Sequence, residues 1–293
     1  MSTRIGLIGL DSSHADDFIR HLNREGRHPD LRITALQGGR EARMAELQAL
    51  DRDLVVCPTV ENLLGKVDAV IVGHRDGALH RDAAIACLAA SRPVFVDKPL
   101  ANTRSDAEAI VDAAGRAGVA LLSGSALRWQ AETRRIKARQ ADRPLSTLDL
   151  LAGVDGATEL HAWGTWHPHS DYGGAIFYAI HTVELAQELL GPHFRKVKRC
   201  RTGDPAIAYR CGDTAVTLSF QPPGASGHAE FGVEISGRGV AFRRPIVLGD
   251  DYMLPVVDRI AIMLRTGVSP MSREELIAPL ALMEEIDALL RAT

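Results

Sequence analysis

The sequence predicts an α/β fold for its first half and an α+β fold for its second half. Up to residue 122, short apolar segments alternate with helical ones, which is typical of βαβ units in a parallel sheet. The short strands are apolar throughout rather than alternating, as expected where helices cover both faces of a sheet. Beyond residue 122 the strands are longer and mixed, with Gly and Asp at the turns, which favours antiparallel pairing.

The first half is therefore predicted to form a Rossmann-type, doubly wound parallel sheet. Its strands are 4–10, 31–36, 69–72, 93–96 and 119–122. Its helices are 13–24, 40–50, 80–90 and 105–116. In the first helix Ala15, Phe18, Ile19 and Leu22 recur at helical spacing, so that one apolar face packs on the sheet.

The second half is predicted to mix helices with longer strands. Its helices are 128–140, 175–190, 252–265 and 274–290, and its strands lie within 148–154, 207–221 and 228–245. The change of pattern at residues 123–125 predicts two domains, 1–123 and 124–293, with a last helix that is able to pack back on the first domain.

Composition limits the classes of partner. The chain has 293 residues, a formal net charge of −3 and mixed acidic and basic residues, so nucleic acid is not an expected partner. Cys57, Cys87, Cys200 and Cys211 form no CxxC pair, which argues against a zinc ribbon or a redox motif. We find neither a signal-peptide pattern nor an apolar run of membrane-spanning length, and we therefore expect a cytoplasmic protein with no membrane partner.

The turn after the first strand is the expected place for a dinucleotide's pyrophosphate. That turn normally has the pattern GxGxxG, which lets the backbone approach the phosphates. Here Gly9 is present, whereas Asp11 and His14 replace the other two glycines. Ser12 or Ser13 is expected to cap the following helix. We interpret Gly9, Asp11, Ser12, Ser13 and His14 as cofactor-contacting positions.

The turn after the second strand bears on the choice between NAD and NADP. An acidic residue here would bind the ribose hydroxyls of NAD, but the sequence runs from Gln37 through two glycines to Arg40. Arg40 and Arg43 could accommodate a 2′-phosphate, since guanidinium groups match phosphate oxygens. This predicts a weak preference for NADP. The alternative is that both are surface arginines at the start of a helix.

The segment Asp97-Lys98-Pro99 follows a buried strand. A lysine at the carboxyl end of such a strand points into the crevice where parallel sheets bind ligands. A buried lysine has a costly charge, which suits proton transfer or polarisation of a carbonyl group. The alternative is a salt bridge between Lys98 and Asp97 at the strand end.

Residues 161–174 concentrate histidine and aromatic side chains. In one interpretation they line a substrate pocket, with Trp163 and Trp166 stacked on a sugar-like ring and with His167 and His169 as hydrogen-bonding groups. In a second interpretation they bind a divalent metal, although the spacing is not that of a known zinc signature. The metal candidates are His161, His167, His169 and Asp171. A surface loop is the third interpretation.

Three segments together carry a family resemblance: DAVIV with a following LH, ACLAASRPVFVDKPLA, and GGAIFYAIHTVELAQELLG. Over nearly its whole length the chain resembles the glucose–fructose oxidoreductase, inositol dehydrogenase and MocA (Gfo/Idh/MocA) family. The resemblance implies a dinucleotide-binding Rossmann domain and a C-terminal domain with an open mixed, largely antiparallel sheet. It also implies NAD(P)-dependent redox chemistry on sugars, cyclitols or related polyols, and a homodimer or homotetramer built through the open sheet.

The resemblance also implies roles for individual residues. The family's Glu-Lys-Pro is Asp97-Lys98-Pro99 here, and the family's helix histidine is His181. The family places an aspartate four residues before that histidine, where this chain has Phe177, which cannot transfer a proton. Tyr178 is a possible substitute. By their position, the further candidates for cofactor contact are Gln37, His74, Arg75 and Arg128.

The sequence thus predicts an NAD(P)-dependent oxidoreductase. Lys98 would hold and polarise the substrate oxygen and His181 would relay the proton, while the cofactor carries the hydride chemistry. Two alternatives stay open, because fold alone does not determine function. One is a non-redox enzyme on the same scaffold, lyase-like or metal-assisted through the histidines of 161–171. The other is a binding protein that retains the fold without the activity.

Overall fold

A computed structural model describes residues 2–141, 159–200, 205–222, 230–237 and 240–291. The chain divides into two compact units. The first comprises Met1–Gly124 and Asp251–Leu276, and the second comprises Ser125–Asp250 and Ile277–Thr293. Residues 251–276 thus group with the first unit, whereas the division into domains 1–123 and 124–293 stays a prediction.

The first unit is built on a parallel sheet. Its strands are β1 Thr3–Ile8, β2 Leu31–Gln37, β3 Val55–Cys57, β4 Ala69–Val72, β5 Val94–Val96 and β6 Leu121–Ser123. These six strands of the described chain lie in the order β3-β2-β1-β4-β5-β6, and each neighbouring pair is parallel. Every residue of β4 and β5 is buried, as their wholly apolar sequences require. The predicted doubly wound parallel sheet is confirmed.

The helices of the first unit follow its strands. Those before residue 124 are α1 His14–Ile19, α2 Glu41–Leu50, α3 Val60–Leu64, α4 His80–Ala89 and α5 Arg104–Ala117. A π-helical turn, Arg20–Arg24, continues α1. The Thr103 side chain caps α5 by accepting the Asp106 N–H at 3.1 Å, and Gly118 ends the helix with a left-handed φ of 63°. The sequence analysis missed β3 and α3, which are short.

The second unit combines helices with a mixed sheet. Its helices are α6 Ala126–Trp129, α7 Ala131–Ala141 and α8 Ile176–Leu190. Its strands are β7 Glu159–Thr165, β8 Arg195–Arg199, β9 Ala206–Cys211, β10 Thr214–Gln221, β11 Gly232–Gly237 and β12 Val240–Pro245. In the part of the chain that the structure describes, they lie in the order β12-β11-β7-β10-β9-β8. The chain ends with α9 Leu254–Thr266 and α10 Arg273–Arg291.

The pairing in this sheet is antiparallel except between β7 and β10, which are parallel. The predicted mixed, largely antiparallel sheet is therefore confirmed, and the segment predicted as a strand at 148–154 lies outside the described residues. Within the described residues we find no helix that combines the length and apolar composition needed to cross a bilayer.

Close contact between α8 and the sheet depends on a glycine in β7. A Cβ atom built on Gly164 would lie 1.9 Å from Thr182 Oγ1 in α8 and 2.7 Å from Cδ1 of Phe231. Thr182 is fully buried, so it has little room to move aside. The glycine therefore sets how closely the helix that carries His181 approaches the sheet.

We predict that Gly164→Ala lowers the free energy of unfolding by about 1–3 kcal/mol, because the added methyl overpacks the contact with α8. Gly115→Ala is the matched control, since a Cβ there, in the last turn of α5, would meet no described neighbouring atom within 4 Å. The control should gain up to about 1 kcal/mol from helix propensity. Urea unfolding measures both variants, and an unchanged midpoint for Gly164→Ala would contradict the proposed contact.

Candidate functional site

The turns at the carboxyl edge of the first sheet are joined by backbone hydrogen bonds. The Gly9 N–H donates to Gln37 O at 3.0 Å, and the Gly73 N–H donates to Ile8 O at 2.7 Å. Gly9 has φ +78°, and a Cβ atom there would lie 2.5 Å from Cγ of His74. A side chain at position 9 would thus push apart the turns after β1 and β4. These two strands adjoin where the strand order reverses, which is the point where such sheets bind ligands.

Asp97 is the buried centre of this edge. The residue is 3% exposed, its Oδ1 accepts the Lys98 N–H at 2.8 Å, and its Oδ2 lies 2.6 Å from His14 Nδ1. Burial alone would raise the pKa of Asp97, but electrostatic attraction and the hydrogen bond of His14, together with Lys98, lower the pKa to about 2. Asp97 is therefore a carboxylate at neutral pH that ties α1 to the end of β5.

Tyr252, from the segment 251–276, completes the surroundings of His14. Its ring meets the His14 ring edge-on with the centroids 5.8 Å apart. Burial raises the pKa of Tyr252, and the nearby Asp17 and Asp97 add to this effect, so its hydroxyl stays protonated at neutral pH. The imidazole of His14, which replaces a glycine of the usual pattern, is thus held between a carboxylate and an aromatic ring.

Lys98 lies directly after β5 and is 7% exposed. The following residue, Pro99, offers its carbonyl oxygen to His80 Nδ1 at 2.8 Å. His80 Nε2 lies 2.9 Å from the carbonyl oxygen of His74, and the ring is fully buried. His80 therefore joins the turn after β4 to the turn after β5.

The turn after β4 carries the candidates His74 and Arg75. Burial lowers the pKa of His74 to about 4, and the neighbouring His80 adds to this effect, so the His74 imidazole is neutral at pH 7. Arg75 is exposed. Both side chains follow a strand next to the point where the strand order reverses, as the sequence predicted.

Arg43 stabilises the turn after β1 by hydrogen bonding to its backbone carbonyl groups. Its Nε donates to Leu10 O at 2.9 Å, its Nη2 donates to Ser12 O at 3.2 Å, and the guanidinium also forms an ion pair with Asp16. These contacts explain how a turn with one glycine keeps its shape. They also engage Arg43 in the fold, whereas Arg40 is exposed at the start of α2.

In the second unit, α6 and α8 are joined by a buried polar cluster. Ser125 Oγ lies 2.6 Å from His181 Nδ1, and the Ser125 N–H donates to Glu184 Oε2 at 2.6 Å. Arg128 Nε donates to the same Glu184 oxygen at 2.7 Å, and Arg128 Nη1 donates to Glu188 at 3.0 Å. Arg128 and Glu184 are each 3% exposed. Arg128, predicted to contact the cofactor, is thus placed in a buried ion pair.

Phe177 and Tyr178 lie on α8 before His181. The Phe177 ring is buried between two tyrosines, with centroid distances of 5.2 Å to Tyr172 and 4.8 Å to Tyr178. Phe177 therefore fills an aromatic cluster where the family has an acid. The group placed next to His181 Nδ1 is the Ser125 hydroxyl, which the sequence analysis did not identify.

The stretch that was interpreted as a histidine-rich loop begins as a strand. His161 and Trp163 belong to β7, where His161 Nε2 lies 2.7 Å from Ser219 Oγ of β10. The Arg243 guanidinium lies 4.1 Å from the centre of the Trp163 ring, a cation–π contact. Residues 161–165 of this stretch therefore form part of a strand rather than a loop, and alternate side chains of a strand point to opposite faces of the sheet.

The remaining candidates of this stretch follow β7. Trp166 stacks on Phe220 with the ring centroids 5.8 Å apart, and His167, His169 and Asp171 are exposed. Among the described residues, the group with metal-ligand spacing is His21, Glu25 and Asp251, not the histidines of this stretch. Arg20 and Arg27 form ion pairs with both of its carboxylates, so charge compensation accounts for that group without a metal.

Ser125 and Tyr252 are two residues of these clusters that the sequence analysis did not place in a site. Ser125 precedes a four-residue helix that carries no clear periodic signal, and Tyr252 lies far from His14 in sequence. Both contacts arise from tertiary structure. A serine immediately before Ala126-Leu127-Arg128 could have indicated an N-cap, and it does accept the Leu127 N–H at 3.2 Å.

Comparison with known proteins places this geometry in a family. Residues 3–125 match the model of the Gfo/Idh/MocA family, an oxidoreductase family with an NAD-binding Rossmann fold. Over these residues the chain is similar to the Gfo/Idh/MocA family. This confirms the resemblance that the sequence motifs suggested.

Two curated relatives are similar to part of this chain. An inositol 2-dehydrogenase of Acidothermus cellulolyticus is 35% identical over 114 residues, which are 38% of this chain and 32% of the relative. A 1,5-anhydro-D-fructose reductase of Ensifer adhaerens is 31% identical over 138 residues, which are 45% of this chain and 41% of the relative. The matches thus span less than half of each curated relative.

The fold extends beyond the matched segment. The crystal structure of a probable dehydrogenase from Thermotoga maritima superposes with a TM-score of 0.80 at 19% identity, covering 99% of this chain and 97% of that one. The second unit of the chain therefore shares its fold with that dehydrogenase.

The His14–Asp97 contact should make the folded state sensitive to acid. Because the pKa of Asp97 is lowered, its stabilising contribution is complete above pH 5 and is lost as the pH falls through 4 toward 2. We predict that Asp97→Asn lowers the free energy of unfolding on the order of 3 kcal/mol at pH 7. The difference from the wild type should shrink as the pH falls through that range.

Denaturant unfolding at several pH values measures this effect. Asp82→Asn, which removes a carboxylate with 94% of its side chain exposed, is the control and should follow the wild type at each pH. A difference between Asp97→Asn and the wild type that stays constant down to pH 3 would show that the Asp97 charge does not hold His14 in place.

Proposed function

We propose that the protein is an NAD(P)-dependent oxidoreductase that moves a hydride to or from a carbon bearing a hydroxyl or carbonyl oxygen. The substrate class is a sugar, a cyclitol or a related small polyol. One observation carries the proposal: a buried lysine, Lys98, stands at the carboxyl end of β5 in a parallel sheet of an NAD-binding oxidoreductase family.

The residues at the sheet edge fit a dinucleotide. Gly9 and Gly73 keep the turns after β1 and β4 narrow, and Gly38 and Gly39 have positive φ of 81° and 89° after β2. These glycines leave backbone rather than side chains beside the point where the strand order reverses. The nicotinamide, when bound, would supply the carbon that gives or takes the hydride.

Several residues would hold the cofactor. They are Gly9, Asp11, Ser12, Ser13, His14, Gln37, Arg40, His74, Arg75, Asp97 and Lys98. We assign Arg128 instead to the support of Ser125 through Glu184, because its guanidinium is engaged with two carboxylates. Asp97 and His14 act mainly by fixing the backbone from which Lys98 projects.

Lys98 and His181 are the proposed catalytic groups. An ammonium group can donate a hydrogen bond to a substrate oxygen and stabilise charge on it, and burial strengthens that interaction. His181 is the second proposed group, an imidazole that can hydrogen-bond the substrate, with Tyr178 as a neighbouring hydroxyl. Trp166, His167 and His169 stay candidates for substrate contact, while Trp163 is occupied by its contact with Arg243.

The substrate class is supported by the matched relatives, which act on inositol and on 1,5-anhydro-D-fructose according to their names. Both compounds are polyhydroxylated rings. A polar ring of this kind would offer several hydroxyl groups to the histidines after β7, whose side chains are exposed. Lys98 would bind one of these ring oxygens through its charge and a hydrogen bond.

We also propose that the protein is cytoplasmic and forms a homodimer or homotetramer. Cys57, Cys87, Cys200 and Cys211 are all free thiols, as is usual in a reducing compartment. The side chains of His161 and Trp163 lie on a mixed sheet that carries the Arg243 contact. On this face the exposed Arg243 and the half-buried His161 offer polar and charged groups to a second copy.

Replacing Lys98 by methionine keeps the side-chain length and removes the proton-bearing group. We predict that Lys98→Met lowers kcat by on the order of a hundredfold or more while nucleotide affinity changes little. His181→Ala should do comparable damage. Steady-state kinetics on inositols and anhydro sugars with NAD⁺ and NADP⁺ measures the effect, and Lys66→Met, at an exposed lysine, is the matched control. Near-normal turnover by both site variants would refute the assignment.

The nucleotide preference depends on Arg40, because Arg43 is engaged with Leu10, Ser12 and Asp16. We predict that Arg40→Ala weakens NADP binding by about tenfold, a loss of one exposed charge-assisted contact, and leaves NAD binding unchanged. Calorimetric titration of both nucleotides measures this. The control is Arg52→Ala, which removes another exposed arginine of the same unit. Equal losses for NAD and NADP would exclude a role for Arg40 in recognising the 2′-phosphate.

A further inference from the structure

We infer that Ser125 is a positioning residue that fixes the tautomer of His181 and makes this histidine a hydrogen-bond donor at Nε2. The inference rests on the proposed function, since it concerns how His181 serves that reaction. It starts from the 2.6 Å contact between Ser125 Oγ and His181 Nδ1.

The hydrogen bonds of Ser125 decide which atom of the contact is the donor. Its Oγ accepts the Leu127 N–H at 3.2 Å as the N-cap of α6, which uses one lone pair of the hydroxyl. The residue is fully buried, so its hydroxyl hydrogen needs an acceptor inside the protein. The Nδ1 lone pair of His181 is the acceptor that the structure places within hydrogen-bonding distance. The hydroxyl therefore donates and Nδ1 accepts.

An Nδ1 that accepts a hydrogen bond cannot carry the proton of a neutral imidazole. The neutral ring of His181 then has its proton on Nε2, which is a donor. A carboxylate partner would select the opposite tautomer, because an ionised carboxylate can only accept and would hold the proton on Nδ1. Phe177 stands where the family has an aspartate, and its ring is buried among aromatic rings. In this chain the partner of His181 Nδ1 is therefore the Ser125 hydroxyl rather than a carboxylate.

The position of Ser125 is itself fixed by a buried ion pair. Its N–H donates to Glu184 Oε2, and the same oxygen accepts from Arg128 Nε at 2.7 Å. Glu184 is on α8, one turn after His181, so the helix that carries the histidine also anchors the serine. Rotation of either side chain would leave a buried polar group without its partner. The arrangement therefore holds the imidazole in one orientation.

A neutral histidine that donates from Nε2 polarises a carbonyl or binds a hydroxyl oxygen without taking up a proton. In this assignment His181 donates a hydrogen bond to a substrate oxygen and stabilises the charge that develops on it, while another group exchanges the proton of that oxygen. This role of His181 as a hydrogen-bond donor follows from its contact with Ser125. A His–carboxylate pair would instead make Nε2 the base.

The test reads the tautomer directly. Long-range ¹H–¹⁵N NMR on protein labelled at histidine distinguishes Nε2–H from Nδ1–H, and His181→Gln identifies the signals of His181. We expect Nε2–H in the wild type at neutral pH. A wild type with Nδ1–H would overturn the inference, whatever the turnover of any variant.

Ser125→Ala should release His181 from the fixed tautomer, seen as a shift of its Nδ1 resonance, and lower kcat by on the order of tenfold or more. Ser125→Thr keeps the hydroxyl and should restore both readouts. Thr103→Ala removes a matching N-cap from α5 and should change neither. If Thr103→Ala shifts the His181 Nδ1 resonance as much as Ser125→Ala does, the loss of a helix cap explains the effect and the inferred role of Ser125 is wrong.

The outcomes also separate this inference from the proposed function. If Lys98→Met and His181→Ala retain turnover, the proposed function fails, while the wild-type tautomer still decides whether Ser125 acts as inferred. If those variants lose turnover but Ser125→Ala keeps it with an unchanged Nδ1 resonance, the function stands and the role of Ser125 is refuted.

Discussion

The carboxylate of Asp97 is buried at the carboxyl end of β5, and a buried charge is tolerated only with partners that satisfy it. Its Oδ1 accepts the Lys98 N–H, and its Oδ2 contacts His14 Nδ1. Through these contacts a single side chain fixes the backbone of Lys98 and the first residue of α1. The orientation of the proposed catalytic lysine and the shape of the turn after β1 therefore depend on the same charge.

This dependence accounts for the unusual first turn. In a turn with three glycines, the helix approaches the strand because no side chain intervenes. Here His14 occupies that space and is accommodated because Asp97 and Tyr252 surround its ring. Arg43 completes the turn by binding two of its carbonyl oxygens. Side-chain contacts thus replace glycine as the means of holding the turn.

The second unit uses a buried charge in the same way. Glu184 satisfies both Arg128 and the backbone of Ser125, and Ser125 in turn contacts His181. A buried ion pair contributes little net stability, but breaking it by removing one partner is costly. Its value here is orientation, because a histidine that donates or accepts a proton must present a defined nitrogen.

The sequence predicted the regular elements of the first unit well, because strands such as 69–72 are wholly apolar and lie between helices with a clear apolar face. It predicted Lys98 from its place after a buried strand. It could not predict that Arg128 pairs with Glu184 or that Ser125 reaches His181, since those contacts join segments more than 50 residues apart. It also allowed residues 161–165 of β7 to be a loop, because their polar and aromatic side chains obscured the alternation of a strand.

Hydride transfer is the central claim, and the most direct measurement follows the hydride itself. The protein would be incubated with NAD⁺ or NADP⁺ and a panel of cyclitols and anhydro sugars deuterated at carbon, and the reduced nucleotide would be analysed by mass spectrometry. The account predicts deuterium at nicotinamide C4 for at least one substrate. Reduced nucleotide without the label, or tight nucleotide binding with no labelled product from any member of the panel, would contradict it.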